Sequence, residues 1–90
     1  MKIKELVEKV EKYDIYLKNV TFDSVYDRIC EEEGCYRLIN VDRDSRDLYL
    51  SKNIGIRSIT INDTFISFKV KDVDNELHEL VLQVRIRPEI

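Results

Sequence analysis

The sequence predicts an α+β fold, with two helices packed on a mainly antiparallel sheet of about five to six strands that ends in a three-strand meander. Three observations carry this. Apolar residues recur at helical spacing over 2–12 and again over 21–33. From Tyr36 the pattern changes to strict alternation. The last third then holds two polar turns, Asn62-Asp63 and Asp72 to Glu76, set between apolar runs.

In the first helix, Ile3, Leu6, Val7 and Val10 fall at i, i+3, i+4 and i+7, a stripe that buries one face. Glu5 with Lys9 and Glu8 with Lys12 are i,i+4 pairs in the favourable order. Tyr13 to Val20 reads as a short strand, with Ile15 and Leu17 on one face and Tyr16 on the other. The second helix would start at Thr21 as N-cap and end at Gly34, burying Phe22, Val25, Tyr26, Ile29 and Cys30. Cys30 then reads as a small core residue.

Alternation pairs Ile39 with Leu50 and Val41 with Leu48 in a hairpin turned at Arg43 to Arg46. In the next hairpin Ile61 faces Thr64, Ile59 faces Ile66 and Arg57 faces Phe68, about a two-residue Asn62-Asp63 turn. The following loop sets Phe68 against Leu80 and Ile66 against Leu82. That register brings Lys69 opposite Glu79 on the other face, which supports it independently. Val84 and Ile86 continue the inward row and Pro88 ends the strand.

The chain of 90 residues reads as one domain, 1–90, with no repeat, linker or low-complexity segment. No apolar run nears the roughly 20 residues of a membrane span, and no secretory pattern opens the chain, so a cytoplasmic protein is expected. In that compartment Cys30 and Cys35 are expected to be free thiols. These two cysteines and the single His78 offer no recognisable metal spacing, and no cofactor motif is present. The serines have no histidine at triad spacing, and His78 falls on the inward phase of the meander as a satisfied, half-buried side chain. The reading is therefore not an enzyme. The absence of Ala and Trp, with abundant Ile, Lys and Asp, suits an AT-rich genome such as that of a low-GC bacterium or its phages.

Formal net charge is −3, which argues against direct nucleic-acid binding. Residues 1–47 hold 9 basic and 12 acidic side chains, against 6 and 6 in 48–90. On the expected second helix Asp23, Asp27 and Glu31 repeat at i, i+4 and i+8, a like-charge row that weakens its own helix. Glu32 and Glu33 add anions where the helix dipole disfavours them, and the hairpin tip adds Asp42, Asp44 and Asp47. Together these eight residues form a candidate partner-binding acidic face, which would present carboxylates where a host protein expects phosphates. The outer sheet face offers the alternative. There Ile56, Phe65, Leu77 and Val81 lie beside Lys69, Lys71, Gln83 and Arg85, a surface for a homodimer or for an accessory subunit within a complex. Exposed aromatic and basic residues on a sheet can also hold single-stranded nucleic acid, a third and weaker reading for a single Phe.

The opening run from Met1 to Leu17, MKIKELVEKVEKYDIYL, resembles the start of small phage and mobile-element accessory proteins. Among these are the small acidic anti-CRISPR proteins that inhibit Cas9, which also begin with a short amphipathic helix running into a strand. Those proteins continue into a short sheet and further helices, whereas this chain ends in strands. The resemblance implies an inhibitor that occupies the nucleic-acid groove of a host defence nuclease, with a CRISPR effector as the leading partner. It assigns no contact residue.

Overall fold

The computed structural model describes residues 1–26, 30, 34–39 and 47–85. Among them, one helix and seven strands run in the order α1 (Ile3–Lys12), β1 (Tyr16–Leu17), β2 (Thr21–Val25), β3 (Cys35–Ile39), β4 (Leu48–Ser51), β5 (Arg57–Ile61), β6 (Phe65–Lys71) and β7 (Leu77–Arg85). The fold is α+β as expected, but the strands form two antiparallel sheets instead of one. A four-stranded sheet has the order β1-β7-β6-β5, and a three-stranded sheet the order β2-β3-β4. No helix among the described residues is long and apolar enough to cross a membrane.

Helix α1 buries Ile3, Leu6 and Val7, the predicted stripe. No side chain caps its start. The Ile3 and Lys4 N–H groups donate instead to the carbonyls of Ile54 and Lys52, and Ile56 N–H donates to Met1 O. Backbone of the β4–β5 connection thus satisfies donors that a helix start leaves open. The far end is a left-handed stop at Asp14, φ 52°. Asp14 N–H donates to Glu11 O and Ile15 N–H to Val10 O, the paired bonds of a Schellman motif.

Among the described residues the expected second helix is not found: Thr21–Val25 is a strand paired along its whole length with β3, from Thr21↔Ile39 to Val25↔Cys35. Thr21, Phe22 and Val25 are good strand formers, and ladder bonds with β3 outweigh a helical stripe of similar quality. Thr21 is therefore no N-cap. Tyr26, expected in the core, is 76% exposed. Ile29 lies outside the described residues. Gly34 does close a turn: its N–H donates to Cys30 O at 2.7 Å, at a φ of 76°.

That turn brings Cys30 and Cys35 into a disulfide, Cα atoms 5.8 Å apart, which corrects the expectation of free thiols. The left-handed residue before Cys35 folds the chain back within bonding reach of Cys30. Both cysteines are buried.

The β3–β4 register also differs. Leu38 pairs with Leu48 and Tyr36 with Leu50, so Leu38 and not Ile39 lies fully buried with Leu50. On its other edge β3 pairs with β2, from Thr21↔Ile39 to Val25↔Cys35. The expected turn at Arg43 to Arg46, and Val41, lie outside the described residues.

The three-strand meander β5-β6-β7 is present. Phe68 faces Leu80, Ile66 faces Leu82 and Lys69 faces Glu79, as predicted. The β5–β6 hairpin is shifted, with Ile61 opposite Ile66 and a bulge between Arg57 and Thr60. The Asn62 side chain explains the longer tip. Its Oδ1 accepts the Thr64 and Phe65 N–H groups and the Thr64 hydroxyl, which moves the first paired residues outward. Ile61, at the tip, is 38% exposed instead of buried. Val84 packs on the core as expected. Ile86 and Pro88 lie outside the described residues.

One buried cluster joins α1 to both sheets, through Leu6, Leu38, Leu50, Ile66, Phe68 and Leu82. It leaves the other face of the four-stranded sheet to solvent.

Candidate protein-binding sheet face

Alternation along β7 places Leu80 and Leu82 in the core and Leu77, Glu79, Val81, Gln83 and Arg85 on the outer face. Register with β6 puts four rows across that face: Phe65 with Gln83, Ser67 with Val81, Lys69 with Glu79, and Lys71 with Leu77. Arg57 extends the Lys69 row onto β5, and Tyr16 lies opposite Arg85 on β1. Leu77 and Val81 are 64% and 62% exposed. Ser67 is too short to cover Val81, and nothing follows Lys71 on its own strand to cover Leu77. Ile56, expected on this face, is 4% exposed because it lies before β5 begins and packs into the core beside α1.

The electrostatics of the face are cationic. Arg57, Lys69, Lys71 and Arg85 stand against Glu79. The only ion pairs among the described residues are Arg37 with Asp23 and His78 with Asp72, so none of these four cations is paired within 4 Å with a described residue. The result is a face on which the charged Lys69–Glu79 row lies between two exposed apolar side chains, Leu77 and Val81, with cations in excess, on a protein of net charge −3.

The predicted acidic face fares differently. Asp23 lies on β2, directly opposite Arg37, and its Oδ2 accepts from Arg37 Nη2 at 3.0 Å. The hydrogen bond to Asp23, with a second to Tyr49, raises the Arg37 pKa further above its ordinary value. An i, i+4, i+8 ridge needs a helix, so the strand at Thr21–Val25 removes Asp23 from any such row. Asp47 is exposed just before β4. Asp27, Glu31, Glu32, Glu33, Asp42 and Asp44 lie outside the described residues.

One polar constellation escaped the sequence reading. His78, half-buried on the inward phase as expected, has its Nε2 2.7 Å from Asp72 Oδ2. Asp72 Oδ1 accepts the Asp74 and Glu76 N–H groups, both at 2.9 Å, and so shapes the β6–β7 loop. Burial pushes the Asp72 carboxyl up, but bonds from His78, Glu76 and Asp74 outweigh it and hold the pKa below the ordinary value. Ligand atoms of Asp72, Glu76 and His78 lie within 4.8 Å of one another, a spacing that could hold a metal ion. Asp72 Oδ1 is already engaged by two N–H groups of the loop and Oδ2 by His78 on β7, which gives the cluster a sufficient structural role. The signal was there as an Asp at the start of a polar loop, a residue type that bonds backbone two residues on.

Compared with protein-family models, with curated proteins and with solved structures, the chain matches none.

Proposed function

We propose that this is a non-enzymatic protein-binding domain, an accessory subunit that meets its partner through the outer face of the four-stranded sheet. One observation carries the reading: Leu77 and Val81 stand mostly exposed on one strand face, beside cations that have no ion pair among the described residues. Burying what remains exposed of two such side chains stabilises a complex by roughly 1–2 kcal/mol each. The excess of cations on the face selects a partner with an acidic contact surface.

A second reading keeps the acidic-face inhibitor of a host defence nuclease, with a CRISPR effector as target. Net charge −3 and exposed Asp47 favour it. Asp23 adds little to it, since its carboxylate is engaged by Arg37.

Parallel capture from host lysate separates the two. The bait proteins are the wild type, the sheet-face variant Leu77→Asp/Val81→Asp, and the charge reversal Asp27→Lys/Glu31→Lys/Asp47→Lys. The sheet-face reading expects one partner retained at about 0.5 M salt, where charge is screened within a few ångström, and lost in the first variant. A nucleic-acid enzyme captured only at low salt, and lost only in the charge reversal, would replace it with the inhibitor reading.

A further inference from the structure

A cleft of about 410 Å³ opens at the β5 end of the outer face, lined by Arg57, Ser58, Lys69, Lys71, Leu77 and Ile54 among others. Its charge is only partly balanced by the fold: Glu79 faces Lys69 from β7, but Lys71 faces Leu77 and Arg57 faces Lys69 itself. Arg57 and Lys69 are direct cross-strand partners, and Lys71 follows two residues along the same face of β6. Like charges placed opposite each other destabilise a sheet. None of the three is ion-paired within 4 Å among the described residues.

The backbone beside them is also unusual. Ser58 has a φ of 56°, a left-handed conformation that is uncommon outside glycine, and it sits in the bulge between Arg57 and Thr60. Bulges of this kind re-aim neighbouring side chains and are frequent beside functional sites. A guanidinium fork and two ammonium groups around one cleft match a doubly charged oxyanion, and a serine hydroxyl can add a donor. The exposed Leu77 and half-buried Ile54 give the cleft an apolar wall.

We propose that this cleft binds a phosphomonoester, its dianion held by Arg57, Lys69 and Lys71 and its organic group lying on Leu77 and Ile54. Bound anion converts a repulsive arrangement into an attractive one, which accounts for three cations being gathered there. The site stands independently of the protein contact proposed above, although it shares Lys69, Lys71 and Leu77 with that face.

The test is an amide-resolved NMR titration of the full chain with inorganic phosphate and with phenyl phosphate. Saturable shifts at Arg57, Ser58, Lys69 and Lys71 are expected, with a Kd of about 1 mM or below for phenyl phosphate and weaker binding of inorganic phosphate. Arg57→Gln/Lys71→Gln should weaken binding at least about tenfold, while Val81→Asp, which breaks the protein contact, leaves it unchanged. Vesicles containing phosphatidic acid form a second arm. Shifts that never saturate, equal binding by the double variant, or response to the vesicles with none to phenyl phosphate would overturn the proposal.

Discussion

His78 and Asp72 form a 2.7 Å bond that ties the last strand to the loop preceding it, while the second Asp72 oxygen holds two backbone N–H groups of that loop. The lowered Asp72 pKa makes stability depend on acid in a definite direction. A carboxyl whose folded pKa lies below its unfolded value, near 3.8, stabilises the fold above that value. The contribution disappears as pH falls through the lower folded pKa. Denaturant melts of wild type between neutral pH and about pH 3 should show this loss, and Asp72→Asn should flatten it. An unchanged acid limb in Asp72→Asn would remove Asp72 as its source.

Reduction of the Cys30–Cys35 bridge should destabilise the chain without changing its fold class. Closing so short a loop restricts the unfolded state by about 2 kcal/mol in the chain-entropy treatment. The midpoint of urea unfolding should fall by that equivalent on adding dithiothreitol, and Cys30→Ser/Cys35→Ser should match it without reductant. Identical midpoints for all three samples would show that the bridge is not formed in solution. A formed bridge also bears on location, since buried disulfides of this kind persist in oxidising compartments and are rare in the cytosol.

Gly34→Ala should be disproportionately harmful for so small a change. The residue has a φ of 76°, and an added Cβ would lie 2.9 Å from the Val25 carbonyl oxygen. Conformation alone costs about 1–2 kcal/mol, and the contact with backbone adds to it. Gly55→Ala is the control, since nothing lies within 4 Å of its added Cβ. Thermal melts should separate the two clearly.

On the outer face the expectation is the reverse. Leu77→Asp and Val81→Asp should each move stability by less than about 0.5–1 kcal/mol, because both side chains are already largely in water. Phe68→Ala, in the row next to Val81 but fully inside, should cost about 3–5 kcal/mol. If Val81→Asp unfolds the chain, Val81 supports the core and is not a free contact surface.

Which parts were legible in the sequence follows from how many independent signals agreed. Helix α1 combined an apolar stripe with favourable charge pairs. The β6–β7 register was legible because one loop length satisfied both the Phe68–Leu80 row and the Lys69–Glu79 row. Over Thr21 to Cys30 the spacing of apolar residues was joined only by cap residues, Thr21 and Gly34, which also suit strand starts and turns. It fitted a strand of β-branched and aromatic residues equally well, and pairing with β3 is a long-range fact that spacing does not contain. The disulfide is not legible because the spacing of Cys30 and Cys35 alone does not show whether their Cα atoms come within bonding reach. Of the candidate sites, the sheet face came through nearly whole, since alternation alone places Phe65, Lys69, Lys71, Val81, Gln83 and Arg85. Ile56 did not, because its burial depends on Met1 and α1 lying across it. The acidic row depended on a helix, and Asp23 left it when that helix proved to be a strand.

The backbone latch between the start of α1 and residues 52–56 sets an order of events during synthesis. A ten-residue helix is too short to persist alone in water, and its first donors find partners only once Lys52 and Ile54 have been made. Nascent chains ending before Ile54 should therefore show no amide protection in α1, and longer ones should gain it abruptly. The first segment to leave the ribosome is thus among the last to settle, held waiting for the middle of its own chain.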